Sequence, residues 1–177
     1  MTRWFYIWAF SIAAGLLWSC DDDSQSADTF KEYEGPVSET FNTEVLYSDS
    51  AQVRIKLQAQ RQLQYESGDQ DFPEGIYIEF FNEEGAKTTS IKANQGHYSK
   101  EENKYTATGN VVVKNLESGE KLETEVLHWE RNKHSINTDR YVEIESEGGI
   151  FMGEGLEANE DFSSWEILEP TGDLLLN

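Results

Sequence analysis

The chain has almost no cysteine, few cations and few prolines, and each scarcity removes a class of function. A single cysteine, Cys20, in 177 residues can form no internal disulfide. The three histidines, His97, His128 and His134, lack the further cysteine ligands that would complete a zinc set. Fourteen Lys and Arg against 34 Asp and Glu leave a net charge of −20, which repels phosphate backbones and argues against a nucleic-acid partner. The three prolines, Pro36, Pro73 and Pro170, fall outside the most regular alternating runs, as ladder hydrogen bonding requires. No segment after residue 20 sustains helical periodicity. Catalytic signatures are missing as well: there is no G-x-S-x-G elbow and no phosphate-cradling glycine loop. Acid pairs recur too often (Glu83-Glu84, Glu101-Glu102, Glu143 with Glu145) for one to stand out as a glycosidase couple. The residues point away from an enzyme, and no cofactor or metal is expected.

What is present begins with an apolar N-terminus. Arg3 precedes a run from Trp4 to Leu17 that is apolar apart from Ser11, and Leu17-Trp18-Ser19-Cys20 closes it. The run is shorter than the roughly 20 residues that span a bilayer as a helix, so residues 1–19 read as a secretory signal. A small residue before the lone cysteine resembles a bacterial lipobox, which makes Cys20 the expected lipidation site. Trp18 departs from that pattern, and an uncleaved membrane helix starting at Trp4 is the competing reading. Residues 20–36 are acidic and poor in aliphatics, suiting a tether, and a β-domain is expected over 37–177. Asp173-Leu174-Leu175-Leu176 packs as a last edge strand or marks a docking site.

Within that domain a unit of roughly 30 residues recurs. An offset of about 31 residues maps Tyr98 onto Trp129, Tyr105 onto Ile136 and Val111 onto Val142. A looser copy places Leu156-Glu157-Ala158 where Leu127-His128-Trp129 stands, followed by Phe162, Trp165 and Ile167, and Val53 to Phe81 reads as a degenerate first copy. Each unit is a strand, a polar turn and a returning strand. Val53-Arg54-Ile55-Lys56-Leu57 and Tyr141-Val142-Glu143-Ile144-Glu145 alternate with period two, giving one apolar and one solvated face. The expected fold is an all-β antiparallel meander, curved or folded over on itself, with unpaired edges at its two ends that are either blunted or used to add a partner's strand.

Alternation selects the side chains that share the apolar face: Val53, Ile55, Leu57, Ile78, Phe80, Val111, Val113, Leu127, Trp129, Ile136, Val142, Ile144, Leu156 and Trp165. Two readings of this set remain open, an ordinary sandwich core and a greasy groove between two sheet halves. A hydrocarbon chain of a dozen carbons exposed to water costs ~10 kcal/mol, so a carrier of such chains needs a continuous apolar lining.

Gly75-Ile76-Tyr77-Ile78-Glu79-Phe80-Phe81-Asn82, Ile91-Lys92-Ala93, Gly109-Asn110-Val111-Val112-Val113, Lys121-Leu122-Glu123-Thr124-Glu125 with Leu127-His128-Trp129, Ile136-Asn137-Thr138 and Gly153-Glu154-Gly155-Leu156 together resemble LptC, over about residues 37 to 168. LptC is the periplasmic component of the lipopolysaccharide export bridge, with a fold related to those of LptA and the N-terminal region of LptD. The resemblance implies an open, folded-over β-jellyroll (a β-taco) whose interior holds the acyl chains of lipid A. It implies no catalysis, and it implies lipopolysaccharide received from an inner-membrane ABC transporter and passed to an LptA-like protein by edge-strand pairing. A periplasmic location follows, with a membrane anchor at a lipidated Cys20 in place of the transmembrane helix that many family members keep. Arg54, Lys56, Arg61 and Lys92 are the candidate headgroup contacts. The competing function is an envelope lipoprotein that binds carbohydrate or protein at its surface, with Trp129 and Trp165 forming a platform.

Overall fold

A computed structural model describes residues 33–171; the expected signal, Cys20 and the Asp173–Leu176 tail lie outside the described residues. The strands are β1 (Ser38–Asp49), β2 (Gln52–Gln64), β3 (Gln70–Phe72), β4 (Ile76–Phe81), β5 (Lys87–Ala93), β6 (Gln95–Ser99), β7 (Lys104–Asn115), β8 (Lys121–Glu130), β9 (Ser135–Ser146), β10 (Gly149–Asn159) and β11 (Trp165–Thr171). All belong to one antiparallel sheet. A single helical turn, Arg131–Lys133, joins β8 to β9.

The apparent branching of the sheet resolves into a plain meander. β3 and β4 both pair with β2, at its two ends, and β6 and β5 both pair with β7. β3 also pairs with β6, and β4 with β5. Each couple is therefore one long strand broken at a bend, at Pro73–Gly75 and at Asn94. Proline sits where a donor is dispensable and Gly75 takes a φ of +104°, which L side chains resist.

The same bend crosses the unbroken strands as a line of bulges. Register shifts lie between Thr108 and Val111 in β7, between Thr124 and His128 in β8, and between Glu154 and Leu156 in β10. Bulges of this kind kink a strand and re-aim its side chains. Gly109 (φ +80°) and Asn110 (φ +47°) make the turn in β7. A Cβ on Gly109 would stand 3.2 Å from the Asn94 side chain, while the Asn94 N–H donates to the Gly109 carbonyl at 2.9 Å. Gly109→Ala is expected to lower stability by about 1–2 kcal/mol, the cost of a left-handed L residue; urea unfolding of the two proteins measures it.

Bent along this line, the sheet closes into two facing leaves. The first leaf holds β3, β6, the Tyr105–Ala107 end of β7, Leu127–Trp129, Ile136–Thr138 and Leu156–Ala158. The second holds β4, β5, the Val111–Asn115 end of β7, Leu122–Thr124 and Val142–Ile144. Phe80 of the second leaf meets Trp129 of the first edge-on at 5.2 Å, although β5 and β7 separate their strands within the sheet. This bears out a folded-over antiparallel β architecture of the jellyroll or taco type.

The repeat is also visible in the pairing. Tyr98 pairs with Tyr105, Trp129 with Ile136, and Ala158 with Trp165, so equivalent positions of three successive hairpins stack side by side in the first leaf. Neighbouring hairpins thereby pool their apolar faces into one core, which no hairpin could bury alone.

Candidate functional site

Thirteen of the fourteen side chains selected by alternation, all but Val53, come together between the leaves. Leu57, Ile78, Phe80, Val111, Val113, Leu127, Trp129, Ile136, Val142, Ile144 and Leu156 are all in the buried core. Ile55 and Trp165 are partly buried and pack against it, and Val53 is half-buried at the β1 end. Phe72, Ile76, Ile91, Ala93, Tyr105, Leu122 and Phe162 complete the lining. Of these, Tyr105 and, more loosely, Phe162 were legible as members of the repeat, although Phe162 lies inside an acidic loop. Phe72, ahead of Pro73, carries no alternation signal.

The interior differs from an open trough in one respect: it is filled. The core side chains from Leu57 to Phe162 interdigitate across the leaves, with Val111, Val113, Leu122, Ile136 and Leu156 fully inaccessible. A packed interior of this kind leaves no room for a guest unless its walls move. The walls are not equally fixed. Along the bend the leaves are continuous backbone ladder. Along the opposite side, the mouth, they meet through contacts that each use at least one side chain.

At the β1 end of the mouth, the hydroxyls of Tyr47 and Tyr105 are 2.8 Å apart. Burial raises the Tyr105 pKa far above the ordinary phenol value, and the neighbouring Tyr47 adds to the effect, so the Tyr105 hydroxyl stays neutral. The Arg131 guanidinium lies over the Tyr47 ring, 4.2 Å from its centroid, and 5.7 Å from that of Trp129, an arrangement attractive to a cation. At the other end, the loop between β10 and β11 crosses the mouth. Thr89 Oγ1 donates to the Asp161 carbonyl at 2.5 Å and Asn115 Nδ2 to the Phe162 carbonyl at 3.0 Å. Trp129 Nε1 donates to Glu160 at 3.0 Å, and Trp165 Nε1 to Glu120 at 3.2 Å. Between these ends lies a cleft of about 560 Å³, bounded by Tyr47, Arg54, Ile55, Phe80 and Thr88 on one leaf and Arg131, His134, Glu160 and Asp161 on the other. Its floor is apolar and its rim charged, the usual make-up of a small-ligand site.

The candidate headgroup cations are mostly engaged elsewhere. Arg54 pairs with Glu83 at 3.3 Å, Lys56 with Glu44 at 2.8 Å, and Arg61 with Glu39 and Glu74 at 2.6 and 3.6 Å. Exposed pairs of this kind contribute little stability, but they do lower the cations' availability to another anion. Arg54 alone of the four reaches the mouth cleft.

Among the histidines, His97 contacts Asp71 at 2.6 Å and His134 contacts Glu160 at 2.7 Å. His128, on the first leaf, shares a 3.0 Å hydrogen bond with Thr106 Oγ1. Desolvation holds the His128 pKa below the ordinary 6.5, with Lys104 adding to the effect. The folded state therefore takes up a proton less readily than the unfolded chain. Its contribution to stability is complete above the unfolded value and is lost as pH falls through the folded one. Urea midpoints measured from pH 8 to pH 5 are expected to fall more steeply in the parent protein than in His128→Gln.

The surface-platform alternative loses its main residue. Trp129 is 2 % exposed and Trp165 only half-buried, with its ring turned to Phe151 and Phe162. The two indoles therefore form no exposed plane for a sugar. Comparison with known families gives a match over residues 6–171 to the model described as lipopolysaccharide-assembly, LptC-related. No curated individual protein matches the chain.

Proposed function

Because the chain belongs to the LptC family and so works in lipopolysaccharide transport, we propose that its two leaves hold the acyl chains of that lipid between them, without catalysis, during transfer between membranes. The observation that carries this reading is the continuous apolar interior, joined along one side by ladder and along the other by contacts that each use at least one side chain. Among the described residues four hydrogen bonds cross the mouth, Tyr47–Tyr105, Thr89–Asp161, Asn115–Phe162 and Trp165–Glu120; at about 0.5–1.5 kcal/mol each they hold it with ~2–6 kcal/mol. One acyl chain of a dozen carbons gains ~10 kcal/mol on leaving water. That gain exceeds the cost of breaking these four bonds, while the bend stays intact. A net charge of −20 repels phosphorylated headgroups, so affinity rests on the chains.

Transfer needs neighbours at both ends of the trough. Among the described residues, β1 pairs only with β2 and β11 only with β10. Phe41 and Leu46 of β1 and Leu168 of β11 are exposed apolar groups, which suits strand addition by a partner. On this reading one edge faces the inner-membrane ABC transporter that supplies the lipid and the other an LptA-like acceptor. Cys20 serves as the lipidated anchor on the periplasmic side of the inner membrane. Cys20→Ala is expected to leave an unprocessed precursor, read by intact mass and membrane fractionation; an unchanged mass with normal attachment would restore a membrane-helix anchor.

Mass spectrometry of lipid extracted from the purified full chain tests the central reading. A stoichiometric lipopolysaccharide or lipid A species is expected; its consistent absence from protein made in cells that synthesise the lipid contradicts it.

A further inference from the structure

The 159–164 loop differs from every other turn of the meander in what it does with its apical side chain. The other described hairpin turns bury no large apolar side chain fully (Leu116 in the β7–β8 turn stays exposed), whereas Phe162 is fully buried. Its ring enters the core at the mouth and lies parallel to that of Trp165, with centroids 6.5 Å apart. To place it there the backbone takes a φ of +54°, a left-handed conformation that is rare and strained for a bulky residue. The loop closes on itself through Phe162 N–H to the Asn159 carbonyl at 2.9 Å and Ser163 N–H to Asp161 Oδ1 at 3.0 Å. Among the described residues, its hydrogen bonds to the opposite leaf come from Thr89 and Asn115. Strain that persists in a folded chain needs a compensating role.

We infer that Phe162 is a built-in occupant of an acyl-chain subsite at the β10–β11 end of the mouth, and that the Thr89 and Asn115 bonds form the catch that holds it there. The ligand is an aliphatic chain, because the group it replaces is an uncharged hydrocarbon ring in an apolar setting. An arriving chain takes over the apolar contacts of the ring, the loop swings out, and the strained φ relaxes. The free protein thus keeps its interior dry and closed, and opens only when a hydrocarbon is at hand to refill it. This inference rests on the carrier reading and specifies how its site is guarded.

Uptake of the fluorescent polyene fatty acid cis-parinaric acid by the full chain tests the device, followed by stopped-flow fluorescence at equal protein concentration. Phe162→Ala empties the subsite and is expected to raise the uptake rate about tenfold or more. Thr89→Val keeps the side-chain shape, leaves Phe162 in place and removes one catch bond; uptake is expected to quicken several-fold. Circular dichroism identifies whether each variant is folded, and Thr89→Val carries the test if Phe162→Ala is not. Uptake by the parent protein with no acceleration in a folded variant overturns the plug while leaving the carrier reading intact. Absence of uptake in parent and variants alike overturns both.

Discussion

Trp129→Ala is expected to destabilise the fold by ~3–5 kcal/mol, the range for removing a buried Phe or Trp side chain. Most of the mouth converges on this one residue. Its ring meets Phe80 edge-on at 5.2 Å and stacks on Tyr105 at 5.1 Å. Arg131 lies 5.7 Å from its centroid, and its Nε1 holds Glu160. Truncation would empty a large volume between the leaves and leave Glu160 with only His134 as a side-chain partner. Trp129→Phe separates the two contributions, since it keeps an aromatic surface and deletes the indole donor. A loss of about 1 kcal/mol, typical of one hydrogen bond, is expected there. Urea unfolding of the three proteins reads both values, and equal losses in the two variants would mean that the hydrogen bond, rather than packing, accounts for the contribution of Trp129.

Gly153→Val should release the last strand. A Cβ at Gly153 would lie 2.4 Å from the Glu169 carbonyl oxygen and 2.4 Å from Ile167 Cγ2, with the Pro170 Cα at 2.9 Å. Two of these atoms are backbone, so no side-chain rotation relieves the contact. Gly153 pairs directly with Pro170, and its lack of a side chain is what allows β11 to cross the bend closely. The valine variant is expected to lose amide protection from Glu166 to Thr171 in hydrogen exchange while β7 and β8 keep theirs. Fully retained protection in β11 would show that the strand can shift to accommodate the group. Because β11 is an edge strand among the described residues, the same variant should weaken any edge-paired complex formed there.

Much of this fold was legible because strand periodicity is a local signal. Val53, Ile55 and Leu57 in β2, and Val142 and Ile144 in β9, alternate cleanly with charged residues, and the burial of Leu57, Val142 and Ile144 follows directly. The repeat that equates Tyr98, Trp129 and Ala158 was legible for the same reason, since each residue opens the same hairpin. The bend was harder to read. In β8 the inward set shifts from Leu122 and Thr124 to Leu127 and Trp129, so the parity of the alternation changes within one strand. A bulge is a tertiary event with only weak local markers, here Gly109-Asn110 and Gly155. Whether the interior is filled, as in the sandwich-core reading, or open, as in the groove reading, was left undecided by the sequence; the structure shows it filled. Alternation identifies which side chains face inward but says nothing of how far apart two inward faces stand. Phe162 was invisible as a plug because its neighbours, Glu160, Asp161 and Ser163, are those of an ordinary solvated turn.

The most direct test compares two adjacent residues of β7 in cells making lipopolysaccharide. Val113 is fully buried between the leaves, whereas Val112 is half-buried on the outer face. A photoreactive benzoylphenylalanine placed at Val113 is expected to yield a lipopolysaccharide adduct on irradiation, and the same group at Val112 is expected to yield none. Adducts from Val112 with none from Val113, in folded proteins, would place the lipid outside the leaves and contradict the account.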